Sequence, residues 1–408
     1  MAKGTASWSR RKLLKFSAVT VLLVLLLAEG IARLLFYVKY HGLGTSVFIQ
    51  GSPLQEQDEA TVYNNRAYYV DFEKQWQYNE LGMKSRCGDF GMPEKKGNEL
   101  WILLLGGSAM EGMGSNKEGE WLDITGVTDH PYSATIAYYL QDNLQRSYPE
   151  RKVRVFSGAV SGFTLEQAIS KYRELAGRYE FDWVISMDGV NECDTLDSDT
   201  KESESAYSRA YWESFPFHRW PLKGIVPITQ HSAFFNFLKQ GVYRWRLNAR
   251  LRSAGSKGFP ARKALADEPA QPLVFADGDA RVSRSVSAFL REERAFAAEL
   301  EKSGKNYLLL VQPYLAFRDS GMLSREEVAL DHYLRLEMND RYKNGFLRSV
   351  YDSLGKAGNP RIRDMNGVLN WPGWTFVDYC HFTRAANERI AGELAGFIFA
   401  GGNVPVFR

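Results

Sequence analysis

Leu103-Leu104-Leu105-Gly106-Gly107-Ser108 decides the reading of this chain. Residues 99–105, apolar throughout from Leu100 onward, read as a short, fully buried strand. That pattern belongs to the middle of a parallel sheet, where both faces are covered. Two glycines end the strand and a serine follows. A hydroxyl is thereby presented at the carboxyl edge of the sheet, where open α/β folds hold their ligands.

Outward from this strand the pattern alternates. Residues 152–156, 182–187 and 306–312 read as further strands, the last stopped by Pro313, and 375–378 as a short fifth. Between them, residues 132–148, 164–178, 282–303, 326–354 and 383–399 carry helical periodicity. Thr164 stands three residues before Gln167, the spacing of a capping box, and Gly304 ends the third of these helices. Strands separated by helices predict an α/β three-layer sandwich with a central five-stranded, mainly parallel sheet. Residues 195–281 interrupt the alternation with Pro216, Pro221 and Pro227 and a loop around 269–272. In them Phe234, Leu238, Val242 and Trp245 recur at helical spacing, and Arg244, Arg246, Arg250 and Arg252 follow. The segment reads either as an ordinary helix with a solvated basic face or as a basic element facing lipid headgroups or an acidic glycan.

The N-terminus has another character. Arg10, Arg11, Lys12 and Lys15 precede an apolar run from Phe16 to about Phe36, and about 20 apolar residues of helix span a bilayer core. Glu29 and Arg33 interrupt the run four residues apart, on one helix face and toward its outer end, where they can pair and reach the interface. The basic cluster favours an inside N-terminus. The expected organisation is a cytoplasmic tail over 1–15, a signal-anchor helix over 16–38, a membrane-proximal segment of short strands and loops over 39–98, and the main domain over 99–400 with its insertion at 195–281. A cleaved signal peptide is the alternative, because the purest apolar part, 19–28, is short. Either way the body of the chain lies outside the cytoplasm.

The chain has 408 residues, 51 basic against 48 acidic side chains, 45% hydrophobic and 13% aromatic residues. This is a folded composition whose net charge of +3 gives no reason to expect nucleic acid. Three cysteines, Cys87, Cys193 and Cys380, are too few for a disulfide scaffold. One bridge, between Cys193 and Cys380, and three buried thiols are both compatible with the spacing. No His-Glu-x-x-His or paired Cys-x-x-Cys occurs, so neither a zinc site nor any other cofactor is expected. The stretch 106–112 lacks the Gly-Lys-Ser/Thr ending of a phosphate loop.

A serine nucleophile needs a base, commonly a histidine held in one tautomer by a carboxylate. Asp378-Tyr379-Cys380-His381 offers that pair on one short turn. The oxyanion needs donors. The Ser108 amide, the Gly162 amide in Ser161-Gly162 and the Asn191 side chain in Gly189-Val190-Asn191 all follow strands. Asp129-His130 is a rival acid–histidine pair but follows a loop; His218, His231 and His332 stand alone and read as structural.

The order serine after the first strand, glycine after the second, asparagine after the third and Asp-x-x-His at the last resembles the SGNH/GDSL hydrolase family over about residues 99–400. The resemblance implies a flavodoxin-like fold with Ser108 as nucleophile and His381 as base. It implies Asp378 as the residue that orients the base, and Gly162 and Asn191 beside the Ser108 amide in the oxyanion hole. Three supporting positions depart from the family pattern: Gly107 stands where it has an acid, Glu192 where it has aspartate, and Ser157 where it often has asparagine. The anchor followed by this domain is similar to the layout of membrane-tethered, exopolysaccharide-associated members. The implied activity is serine-esterase chemistry on acyl, chiefly acetyl, esters of a cell-surface or exported polysaccharide. Three alternatives share the site: a polysaccharide O-acetyltransferase, a lipolytic esterase that the anchor brings near lipid, and a catalytically silent subunit of a polysaccharide machine. The expected partners are an acylated carbohydrate or other ester substrate and the membrane.

Overall fold

The structure, a computed structural model, describes residues 10–39, 55–65, 70–71, 76–86, 89, 91–114, 128–195, 220–221, 224, 232–235, 238, 245, 264–337, 339–357 and 359–400. The chain divides into two units, Met1–Leu54 with Pro216–Arg246, and Gln55–Phe215 with Leu247–Arg408.

The first unit is built on α1 (Arg10–Lys39). Its segment Arg11–Leu35 is 25 residues long, contains an 18-residue stretch with a mean hydropathy of 2.2 and is long and apolar enough to cross a membrane. Arg33 Nε lies 2.7 Å from Glu29 Oε1. Glu29 also accepts hydrogen bonds from Ser232 Oγ at 2.7 Å and from the Ala233 and Phe234 amides at 3.1 and 3.0 Å. The mid-run carboxylate is therefore satisfied, as a buried or lipid-facing one must be. Leu238 and Trp245 are exposed; Val242, Arg244, Arg246, Arg250 and Arg252 lie outside the described residues.

The second unit opens with β1 (Gln55–Asp58) and β2 (Val62–Asn65), an antiparallel pair. Then come β3 (Val70–Asp71), β4 (Trp76–Tyr78), β5 (Lys84–Arg86) and β6 (Leu100–Gly106). After β6 the chain makes α2 (Ser108–Glu111), the short antiparallel pair β7 (Met113–Gly114) and β8 (Thr128–Asp129), α3 (Ile136–Ser147), β9 (Val153–Ser157), α4 (Leu165–Ala176) and β10 (Trp183–Asp188). It continues through α5 (Ala280–Lys302), β11 (Asn306–Val311), α6 (Arg325–Glu337), α7 (Arg341–Ala357), β12 (Ile362–Asp364) and α8 (Arg384–Phe399).

The main sheet runs β12-β11-β10-β6-β9-β5-β4-β3. Its first five strands are parallel and the last three antiparallel. The parallel strands, ranked by sequence, lie in the order 5-4-3-1-2, the flavodoxin-like arrangement. The chain steps outward from β6 to β9 and then crosses back to β10, so the switch point falls between β6 and β10. Ser108 follows the first of these strands and Asn191 the second.

Strand alternation sorts the core into two layers. Leu100, Ile102 and Leu104 of β6 face α3, α6 and α8. Trp101, Leu103 and Leu105 face α4, α5 and α7. Both sets are almost fully buried, which accounts for a strand with no polar face.

Two departures from the sequence reading have clear causes. Residues 375–378 are not the fifth strand: β12 is. The Thr375 and Phe376 amides, which a ladder would need, donate instead to Glu327 Oε1 at 2.8 and 3.0 Å. The sheet also gains β3, β4 and β5 from residues before 99. Cys193 and Cys380 are both buried, with no bridge between them; Cys87 lies outside the described residues.

Candidate active site

Gly106 has φ +128°, and a Cβ there would stand 2.3 Å from Met187 O. Only glycine lets β6 end this close to β10. The chain then turns at Gly107 into α2, whose first residue is Ser108. A helix leaves its first amides without intrahelical acceptors, so the Ser108 N–H faces outward beside its own hydroxyl.

Ser108 Oγ lies 2.7 Å from His381 Nε2. His381 Nδ1 lies 2.7 Å from Asp378 Oδ2. The other carboxylate oxygen, Oδ1, accepts from the Cys380 and His381 amides at 2.8 and 2.7 Å. The two aspartate oxygens thus divide the work, one anchoring the turn while the other fixes the ring. With Nδ1 donating to the carboxylate, Nε2 is left as an acceptor toward the serine. Asp378 is buried, while His381 is 9% exposed and Ser108 half-buried. Burial works against charge on the His381 ring, but the Asp378 carboxylate and then the Cys380 sulfur beside it together outweigh it and hold the imidazole well above the ordinary histidine range. Burial likewise opposes ionisation of Asp378, and the imidazole outweighs it in turn, keeping the carboxyl below its usual range.

Asn191 Nδ2 donates to Phe163 O at 2.7 Å. A Cβ built on Gly107 would stand 2.5 Å from the same nitrogen, so the amide lies against the backbone just before the serine. An amide nitrogen has two protons, and one remains for a ligand. Gly162 sits in the turn before α4 with φ +84°. The turns carrying Gly162 and Asn191 are tied together by Glu192, which accepts from the Leu165 amide at 2.6 Å and the Gly189 amide at 2.7 Å.

Glu192 belongs to a buried acidic group. Burial and then Asp188 push it up to about 8. On α5, burial and then Glu192 push Glu293 up to about 8. Glu192 has two backbone donors that favour its ionised form, whereas Glu293 Oε2 meets no donor among the described residues. Glu293 is therefore the member that keeps its proton.

Sequence reasoning missed three supports. Asn65 Nδ2 donates to Glu111 Oε1 at 3.0 Å, and the Tyr78 hydroxyl donates to the same oxygen, bracing the turn that carries Ser108. Arg318 and Glu327 form a buried ion pair at 2.5 Å. Arg318 also donates to Leu369 O and Gly373 O at 2.8 and 3.2 Å, while Glu327 holds Thr375 and Phe376, so the pair clamps the loop leading to Asp378. The third is the environment of His130. It is buried, and its Nε2 lies 2.9 Å from Phe382 O, so it braces the residue after His381. Only the local Asp-His pairing was visible in sequence, and the Asp129 side chain is not among those described. His332 Nδ1 lies 2.5 Å from Leu265 O, a packing role; His218 and His231 are outside the described residues.

No family model and no curated protein matches the chain. Solved structures similar to it include an α/β hydrolase enzyme from the metagenome of Lake Arreo, Spain. It is 14% identical, has a TM-score of 0.33 and is matched over 74% of this chain and 95% of that one. An acetylxylan esterase from Geobacillus stearothermophilus is 14% identical, with a TM-score of 0.33 over 75% of this chain and 95% of that one. The acetyl xylan esterase AlAXEase is 10% identical, with a TM-score of 0.35 over 73% of this chain and 100% of that one.

Proposed function

We propose that the chain is a membrane-anchored serine esterase of the SGNH type, acting on acyl, chiefly acetyl, esters of a cell-surface or exported polysaccharide. The observation that carries the reading is the continuous chain Ser108 Oγ, His381 Nε2, His381 Nδ1, Asp378 Oδ2, each step 2.7 Å or within the imidazole ring.

In this mechanism Ser108 Oγ attacks the ester carbonyl and its proton passes to His381 Nε2. Asp378 holds the ring in the accepting tautomer and stabilises the imidazolium that forms. The Ser108 and Gly162 amides and the second proton of Asn191 Nδ2 receive the tetrahedral oxyanion. One such donor is worth roughly 2.7–4 kcal/mol. The imidazolium returns its proton to the leaving alcohol, leaving an acyl-serine. Water, activated by the same nitrogen, releases the acid and restores the serine. A sugar hydroxyl in place of water would make the reaction a transfer.

The polysaccharide and acetyl assignments rest on the resemblance of the four motif blocks and on the anchor, and are analogy at the level of the family. The segment Arg11–Leu35, preceded by basic residues, supports an inside N-terminus and an extracytoplasmic catalytic domain.

The test is release of acetate from an acetylated polysaccharide by the full chain in detergent. Wild type is expected to release acetate and Ser108→Ala to release none, with the fold unchanged by circular dichroism. Equal release by both proteins would remove Ser108 from the chemistry. Adding a deacetylated glycan and following acetyl-sugar formation separates hydrolysis from transfer.

A further inference from the structure

Cys380 takes no part in the mechanism above, yet its Sγ lies 3.6 Å from Nδ1 of the His381 ring. The ligand atoms of Asp378, Cys380 and His381 all lie within 4.8 Å of one another, and all three residues are buried. Three donors of different kinds, thiol, imidazole and carboxylate, thus converge on one point. A zinc ion bonded to sulfur at 2.3 Å and to nitrogen at 2.0–2.1 Å, with a tetrahedral angle between them, holds those two atoms about 3.5–3.6 Å apart. The sulfur–nitrogen spacing needs no adjustment. The carboxylate oxygen, 2.7 Å from Nδ1, has only to turn outward to become the third ligand. Three protein ligands and one open position are the donor count of an accessible zinc site.

We propose that Asp378, Cys380 and His381 form a chelating site for a thiophilic divalent cation of the zinc class, and that occupation of this site switches the esterase off. The bonds formed are metal to Cys380 Sγ, His381 Nδ1 and an Asp378 oxygen. The thiol proton leaves to the buffer. The ring proton moves from Nδ1 to Nε2, because a neutral imidazole bonded through one nitrogen carries its proton on the other. Nε2 then donates where it must accept, and it can no longer take the proton of Ser108. From the form with a neutral ring, at a pH above the His381 titration, one metal ion binds, one proton is released and no redox step is involved. Sequence spacing concealed the site, since Asp-x-Cys-His matches none of the usual zinc patterns.

The inhibitory consequence rests on the esterase reading; the binding does not, and the experiment separates them. Zn2+ is titrated into the full-length protein by calorimetry in buffers of different ionisation enthalpy, and Co2+ is followed by absorption. At a pH where the His381 ring is neutral, wild type is expected to bind one Zn2+ with release of about one proton, and to give a thiolate-to-cobalt charge-transfer band. Cys380→Ser is expected to lose the band and at least about tenfold in Zn2+ affinity. His381→Ala, which keeps the thiol, is expected to lose similar affinity. In the esterase assay Zn2+ should inhibit wild type with a midpoint equal to its dissociation constant, reversed by EDTA. Measured against its own metal-free rate, Cys380→Ser should need at least about tenfold more Zn2+ for half-inhibition. An active wild type that gives no cobalt band, or a Cys380→Ser variant equally sensitive to Zn2+, overturns the site. A metal-binding wild type with no esterase activity overturns the esterase reading and leaves the site standing.

Discussion

His381 is asked to do two things that pull against each other. It must be neutral to accept the Ser108 proton, yet the buried Asp378 carboxylate stabilises its charged form and raises its proton affinity. The active form is the deprotonated one, so kcat/KM should rise with pH along a limb lying above the ordinary histidine value of about 6.5. Asp378→Asn removes the attraction and leaves the burial. The limb should then move down in pH while turnover falls by about 10⁴. A pH–rate profile checks both; a limb that stays in place in Asp378→Asn contradicts the pairing. Gly107 is tested at the same scale. A methyl group there would stand 2.5 Å from Asn191 Nδ2 and push the amide aside. Gly107→Ala is therefore expected to lower kcat about 10²–10³-fold, as loss of one oxyanion donor does, with far less change in KM. Asn191→Ala should match it, and the double variant should be no worse than either. Full activity in Gly107→Ala would place the amide outside the hole.

At the scale of elements, the carboxyl ends of β6, β9 and β10 carry the proposed serine, glycine and asparagine, and α5 brings Glu293 within electrostatic reach of the buried Glu192. Glu293, pushed up to about 8, keeps a proton in the folded state that the unfolded chain loses near pH 4.3. Between those values the unfolded state binds fewer protons, so folding stability falls as pH rises from about 4.3 to about 8. Glu293→Gln removes this titration. Its melting temperature is expected to match wild type near pH 4 and to exceed it increasingly toward pH 8. Parallel melting curves for the two proteins across this range would show that Glu293 does not hold the proton.

The same scale explains what the sequence could reveal. β6, β9, β10 and β11 were legible because each is rich in apolar and β-branched residues with turns at both ends. β12 was not, because Arg361-Ile362-Arg363-Asp364 has one apolar residue and forms the sheet edge. Thr375-Phe376-Val377 has strand composition, but Glu327, about fifty residues earlier, takes the amides that a strand would have used. Local propensity cannot see such a partner. The Arg318–Glu327 clamp was hidden for the same reason: nine residues apart, the two fit no helical pairing rule. Ser108, Asp378, His381 and Asn191 were all nameable because each stands beside a glycine turn or a short acid–histidine spacing. The bracing by Asn65 and Tyr78 depends on β2 and β4 folding onto the α/β unit, which no local pattern encodes.

At the scale of the whole molecule, a hydrophobic N-terminal helix precedes an α/β unit whose switch point carries the proposed chemistry. If Arg11–Leu35 is an uncleaved anchor, the mature protein stays with membranes after an alkaline carbonate wash, and its intact mass includes residues 1–15. A soluble product lacking about the first 28 residues would instead mark a cleaved signal peptide.

The central claim is that Ser108 is a nucleophile because His381 takes its proton. A fluorophosphonate probe, followed by intact-mass and peptide-mapping mass spectrometry, tests it most directly. The expected result is one phosphonyl adduct per chain on Ser108 in wild type and none in His381→Ala at the same probe concentration. An adduct on another residue, or equal labelling of Ser108 without His381, would contradict the account.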